Sequence, residues 1–242
     1  MDLFNDGDMQ TTQVANYSFS GIRPEKLGAP EYTLVTVVQD VTGSVSPYAV
    51  QLLEMMQKIV QACRKSPRAE FLMVRHTEFA YAPKEVHGFT ELSRIDESQY
   101  QVPNCSGMTA LYDATHEALA ATNEYGRMLT EQDFNVNGVV FVITDGTDNE
   151  SFQTPTAVKA ELSRGVQNEW LESLAVVLIG INVATCSTRL AAFQSEAGLQ
   201  QYVDAGDATP KNLARLADFV SRSISSSSQS LGTGGPSQPL TF

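Results

Sequence analysis

The sequence predicts an α/β fold, a mostly parallel sheet covered by helices on both faces. Three observations predict it. Runs of β-formers without polar alternation, at Thr33–Val38, Val139–Ile143 and Leu174–Ile181, read as strands buried on both faces. Segments with helical apolar spacing lie between and after them, as at Val158, Leu162 and Val166 and at Leu213, Leu216, Val220 and Ile224. Two of the strand runs end in oxygen-rich loops, Asp40-Val41-Thr42-Gly43-Ser44 and Asp145-Gly146. Open α/β sheets bind their ligands at the carboxyl ends of strands.

A chain of 242 residues has room for one full α/β domain with tails, and 42% hydrophobic content supports a globular core. The formal net charge of −12 argues against a nucleic-acid partner, which needs basic patches. It serves solubility, with attraction of a basic partner as the sharper reading. No apolar run approaches the roughly 20 residues of a membrane span. The N-terminus lacks the basic and apolar regions of a secretory signal. Cys63, Cys105 and Cys186 are few, odd in number and far apart, without zinc-ligand spacing. A reducing compartment, the cytoplasm, is expected.

Residues 1–30 are polar and acidic, with Gly21, Pro24, Gly28 and Pro30, and read as an irregular arm with a short strand at Val14–Phe19. The first strand spans Thr33–Gln39. Ser46 as N-cap and Pro47 at the first position open a helix with the stripe Val50, Leu53, Met56 (or Leu52), Val60 and Cys63. A strand region follows at Ala69–Tyr81, buried over Phe71–Val74 and polar later, then an edge strand at Val86–Leu92. His76, His87 and His116 lack a clustered partner and read as structural or exposed. The loop Gln101–Met108 delivers Thr109 to a helix over Ala110–Asn123, and Glu124–Asn137 reads as a connection. Thr154-Pro155 caps the next helix. A short helix at Thr188–Ala197, a strand at Gln201–Ala205 and a helix opened by Thr209-Pro210 complete the domain. From Ser225 the Ser-, Gly-, Pro- and Gln-rich sequence lacks the apolar surface to offset ordering entropy and reads as a flexible tail. The expected organisation is an arm over 1–30, one domain over 31–224 and a tail over 225–242.

Asp40, Thr42 and Ser44 offer a carboxylate and two hydroxyls in one loop. Thr109 opens a helix after Gly107-Met108, and Asp145 ends the buried run Val139–Thr144. Singly, each has a plain structural use: Thr109 as a helix cap, Asp145-Gly146 as a turn, the first loop as self-bonded hydroxyls. Together they make an oxygen set of the kind a hard divalent cation takes.

In this order and context, the D-x-T-x-S loop, the loop threonine and the strand-end aspartate resemble the metal-ion-dependent adhesion site of von Willebrand factor A (vWA) domains. The resemblance covers Tyr32 to Ile224. It implies a Rossmann-like vWA fold with a central sheet of about six strands, one edge strand antiparallel. It also implies Mg²⁺ (or Mn²⁺ or Ca²⁺), with Thr42 and Ser44 as direct ligands, Thr109 as the variable one, and Asp40 and Asp145 acting mainly through water. A partner's Asp or Glu would complete the coordination. Thr42 stands where the family usually has serine; the hydroxyl is kept, and the added methyl stiffens χ1. Met108, Asp148, Asn149 and Glu150 are expected on the rim of that contact.

The implied function is a non-enzymatic, metal-dependent protein-binding module of intracellular prokaryotic or phage type. Such proteins often work beside AAA+ ATPases of the MoxR type, so an adaptor role is an expectation of the resemblance. No Walker A motif is present, so the chain is not expected to be the ATPase. The alternatives are a structural or assembly component with a vestigial metal site and a Mg²⁺-dependent phosphatase of the haloacid-dehalogenase type. The latter needs a second aspartate as general acid where Thr42 stands.

Overall fold

The valine-rich run after Pro30 folds as a central strand. In a computed structural model that describes residues 7–233 (backbone alone over 231–233) and 242, β3 (Glu31–Asp40) is fully buried from Tyr32 onward. It is flanked by β4 (Leu72–Phe79) and β6 (Asn135–Thr144), both parallel to it. β7 (Leu174–Gly180) and β8 (Gln201–Asp204) extend the parallel ladder beyond β6. On the other side, β5 (Pro83–Glu91) runs antiparallel to β4. An N-terminal hairpin, β1 (Met9–Val14) and β2 (Tyr17–Ile22), completes an eight-stranded sheet in the order β1-β2-β5-β4-β3-β6-β7-β8.

Side chains alternate across β3, so each face meets its own helical layer. Tyr32, Leu34 and Val38 pack with α2 (Leu111–Thr130), α3 (Pro155–Gln167) and α4 (Ser187–Ala197). Val35 and Val37 pack with α1 (Ala49–Cys63) and α5 (Pro210–Thr233). No helix of the described residues is long and apolar enough to cross a membrane.

Several boundaries depart from the sequence reading. The sheet has eight strands rather than about six, because the segment expected to be an irregular arm supplies the hairpin. The strand expected at Val14–Phe19 straddles the turn instead, where Ala15 takes a left-handed φ of 49°. Ser46 and Pro47 lie in a 3-10 turn, Gly43–Tyr48, and α1 starts after it without a side-chain cap. The buried face of α1 is Leu52, Met55, Met56, Ile59, Val60 and Cys63, while Val50 is 53% exposed. α2 continues past Asn123 to Thr130 because Tyr125 and Leu129 are both buried on its inner side; the Tyr125 hydroxyl donates to the Ile22 carbonyl at 2.6 Å.

The serine run expected to be a flexible tail from Ser225 is helical to Thr233. Low apolar content is compensated by hydrogen bonding. Ser221, Ser223 and Ser230 return their hydroxyls to carbonyls one turn back. The Ser227 carbonyl accepts from Asn137 Nδ2 at 2.7 Å, and the Ser228 hydroxyl accepts from Arg68 Nε at 3.0 Å. The first six residues and 234–241 lie outside the described residues.

The later part of β4 is polar, as read, but buried. Arg75 is 1% exposed and forms a bidentate pair with Glu117 of α2 (Nη2–Oε1 2.5 Å, Nη1–Oε2 3.1 Å). Its Nε reaches Glu85 of β5 at 2.7 Å. Glu85 in turn accepts the Ser20 N–H (3.0 Å) and hydroxyl (2.5 Å), tying the hairpin to the triad. β2 pairs with β5 only at Gly21 and Phe89. There the backbones come so close that a Cβ at Gly88 would collide with the Ser20 carbonyl. His76 and His87 are buried on the α1 side, with His87 Nε2 at 2.8 Å from the Tyr100 hydroxyl. His116 is half-buried beside the Tyr17 ring.

Candidate functional site

After β3 the chain crosses to β4 on one side, and after β5 it returns to β6 on the other. The carboxyl ends of β3 and β6 therefore flank the topological switch point, where open α/β sheets form their crevice. Asp40 is the last residue of β3, and Thr144 the last of β6, with Asp145 next.

The structure brings Asp40, Thr42, Ser44 and Asp145 into one hydrogen-bonded set. The Thr42 and Ser44 hydroxyls are 3.1 Å apart, and the Ser44 hydroxyl donates to Asp145 Oδ1 at 2.8 Å. Asp40 points inward. Its Oδ1 accepts the Thr42 N–H at 2.9 Å and its Oδ2 accepts the Thr144 hydroxyl at 2.6 Å. Burial pushes the Asp40 carboxyl up to about 6; the Thr144 and Thr42 hydrogen bonds oppose this, and the Asp145 charge adds to it. Ser44 is exposed and Thr42 buried, so the set spans from the core to the surface.

Thr109 is brought to the same place. Its hydroxyl oxygen lies 3.9 Å from where a Cβ of Gly146 would sit. The preceding loop is tied to the first one: the Ser106 N–H donates to the Val41 carbonyl at 2.9 Å and the Gly43 N–H to the Gly107 carbonyl at 3.4 Å. Gly107 has φ +96°, and a side chain there would meet the Tyr81 ring. No larger residue serves at this turn.

The four expected rim residues divide. Met108 is 41% exposed and Glu150 is exposed. Asp148, half-buried, and Asn149, exposed, also brace the start of α2. Asn149 Oδ1 accepts the Thr109 N–H at 2.8 Å, and Asp148 Oδ1 accepts the Tyr112 N–H at 3.2 Å. Asp113 answers from α2, accepting the N–H groups of Phe152 (3.1 Å) and Gln153 (2.7 Å). This reciprocal clamp fixes the loop after β6 against Thr109.

Tyr48 and Thr144 escaped the sequence reading. Tyr48 is buried, and its hydroxyl donates to Asp145 Oδ2 at 2.7 Å. Burial, then the Asp145 bond and charge, holds its phenol above the usual range. Nothing in its spacing marks it, since its role depends on the 3-10 turn that swings it toward β6. Thr144 had a signal, a hydroxyl next to the strand-end aspartate. Tyr48→Phe is expected to lower the unfolding free energy by about 1.5 kcal/mol, the low end for a bond to a charged group, because the partly exposed Asp145 can rehydrate. Urea unfolding of the two proteins checks this.

The donor set fits a hard cation. It offers hydroxyl and carboxylate oxygens, with two carboxylates to offset a divalent charge. Among the described residues, no group of three or more His, Cys, Asp and Glu side chains could hold a metal. A metal at this end would therefore depend on the hydroxyls.

No protein-family model matches the chain, and no curated protein matches it. Solved structures do. The PilB minor pilin from Streptococcus sanguinis superposes with a TM-score of 0.59 at 13% identity, over 86% of this chain and 64% of that one. The pilus adhesin SpaC from Lactobacillus rhamnosus GG gives 0.57 at 11% identity, over 91% and 35%. Proximal thread matrix protein 1 from the mussel byssus, in a structure with a zinc-occupied MIDAS motif, gives 0.54 at 18% identity, over 82% and 47%. The fold is vWA-like. At these identities the likeness shows the fold alone, and the chain spans less than half of the mussel protein's length.

Proposed function

We propose that the chain is a divalent-metal-dependent protein-binding module. The observation that carries this reading is the convergence of the Thr42, Ser44 and Asp145 oxygens at the switch point of the sheet. In this reading Thr42 and Ser44 bind Mg²⁺ (or Mn²⁺ or Ca²⁺) directly and Thr109 joins them in one state of the site. Asp40 and Asp145 act through water. With few charged direct ligands, the bound ion supplies a Lewis-acidic position for an Asp or Glu of a partner protein. A non-enzymatic role is supported by Asp40, whose two oxygens are taken by Thr42 and Thr144 rather than presented as a nucleophile. The adaptor role beside an AAA+ ATPase and the cytoplasmic location are carried by the family resemblance and the cysteine pattern.

A metal that binds only the folded chain stabilises it by about 2.7 kcal/mol at 100 times its dissociation constant. For a chain of this size that raises Tm by roughly 5–10 °C. Added Mg²⁺ is expected to produce this rise, EDTA to reverse it, and Ser44→Ala, at an exposed position, to abolish it. Pull-down from the host with Mg²⁺, with EDTA and with Asp40→Ala/Thr109→Ala then identifies the partner. A partner kept only with metal and an intact site establishes metal-bridged binding.

A second reading is a structural component with a vestigial site. It is favoured by the direct closure of Ser44 on Asp145, and the similar structures include a thread matrix protein and a minor pilin. It requires the same partners in all three conditions and a Tm unmoved by Mg²⁺.

A further inference from the structure

Six large apolar side chains are exposed among the described residues. Three of them, Tyr81, Met108 and Phe152, stand on loops at the carboxyl end of the sheet. They border Thr109 on both sides. Tyr81 packs on Gly107, next to Met108. Phe152 is 93% exposed, yet its N–H is fixed to Asp113 in the first turn of α2. Single exposed apolar residues are ordinary. A group of them on braced loops around one site marks an interaction surface.

Beside this rim, α2, α4 and the loop after β6 border an open hollow of about 200 Å³. Leu111, Leu190 and Phe193 line it, and all three are buried; Asp148, Arg189 and Glu196 supply its charged groups. The accessible apolar surface in it comes from Tyr112 and Ala192, on which an apolar side chain of a partner can rest. Charge narrows the occupant. Asp145, Asp148, Glu150 and Glu196 crowd this end of a chain of net charge −12. A run of acidic residues would be repelled, whereas one carboxylate suffices for a metal.

We propose that the partner presents a single Asp or Glu flanked by large apolar side chains. The carboxylate goes to the metal, and the flanks go to Met108, Phe152 and the hollow. This rests on the metal-dependent reading above and names its partner class.

Selection of randomised peptides displayed on phage against the full chain tests it. Three arms run in parallel: Mg²⁺, EDTA, and the Phe152→Ser/Met108→Ser double variant with Mg²⁺. Both substituted side chains are exposed, and an unchanged circular dichroism spectrum and Tm check the fold. The expected enriched sequences carry one acidic residue with Phe, Trp, Leu, Ile or Met within two positions. A synthetic consensus peptide then binds the double variant at least tenfold more weakly and fails to bind in EDTA. Ala192→Trp, which fills the hollow from an exposed position, weakens it similarly. Enrichment of acidic runs that bind the double variant equally overturns the apolar rim and leaves the metal reading standing. Apolar peptides without a carboxylate, retained in EDTA, overturn the metal reading and this proposal with it. Absence of any enrichment overturns the proposal, and the Mg²⁺-dependent Tm rise decides the metal reading separately.

Discussion

Glu117→Ala is expected to lower the unfolding free energy by about 3–5 kcal/mol, the cost of stranding one member of a buried ion pair. The stranded group is the Arg75 guanidinium, 1% exposed and bonded to Glu117 through both terminal nitrogens. Glu85 remains as a partner at 2.7 Å, but it is itself 21% exposed and shared with Ser20. It cannot cover the whole fork. Replacing the pair by apolar residues of similar volume, Arg75→Met with Glu117→Leu, should recover part of the loss, because the two buried charges vanish together while the partly exposed Glu85 keeps Ser20 as a partner. Urea unfolding of the single and double variants measures this. Equal losses in both would mean that packing of the long side chains, not their charge, is what α2 and β4 require.

Acidification should cost nearly as much. His76 and His87 are both held neutral by burial, their imidazoles pushed down to about 3 and about 4. Neither ring nitrogen of His76 has a hydrogen-bond partner among the described residues. In the unfolded chain both rings take up protons near pH 6.5; in the folded chain they do not. The unfolded state therefore binds more protons below that pH, and stability falls as pH falls. Each ring is expected to cost ~2 kcal/mol between pH 7.5 and 5. Asp40 works in the opposite direction. Its folded carboxyl, raised to about 6, takes up a proton before the unfolded one does and returns about 1 kcal/mol at pH 5. A net loss of about 3 kcal/mol should appear in urea midpoints across this range. His76→Met should flatten the pH dependence by about two thirds, since it removes one ~2 kcal/mol contribution from a net of about 3. An unchanged slope in that variant would place the proton uptake elsewhere.

The frame of the fold was readable because β3, β6 and β7 are buried on both faces and carry runs of β-formers with little polar alternation. Thr33–Val38 and Val139–Ile143 lie in strands of the sheet, and so does Leu174–Ile181 as far as Gly180. The positions of Asp40, Thr42, Ser44 and Asp145 followed, since a loop at a strand end is placed by the strand. What could not be read depended on partners distant in sequence. Arg75 and Glu117 look like surface charges until β4 and α2 are packed together. Ser227 and Ser228 look like a linker until Asn137 and Arg68 reach them. Tyr48 looks like core until a 3-10 turn aims its hydroxyl at Asp145. Nor did the sequence show that Asp148 and Asn149, expected on a binding rim, also bond the backbone at the start of α2 beside Thr109.

The hairpin also changes what the sheet offers to other chains. β5 would otherwise end the sheet with a nine-residue row of unpaired backbone groups, the template on which strands of separate molecules stack. β2 guards that row without zipping onto it: they share one pair, and Glu85 takes the Ser20 N–H in place of a carbonyl. The outermost position passes to β1, six residues long and carrying Gln10, Thr11, Thr12 and Gln13. A short, polar border strand is a poor nucleus for polymerisation. A chain shortened past Ile22 is therefore expected to self-associate more readily through β5, while keeping every strand that frames the candidate metal site.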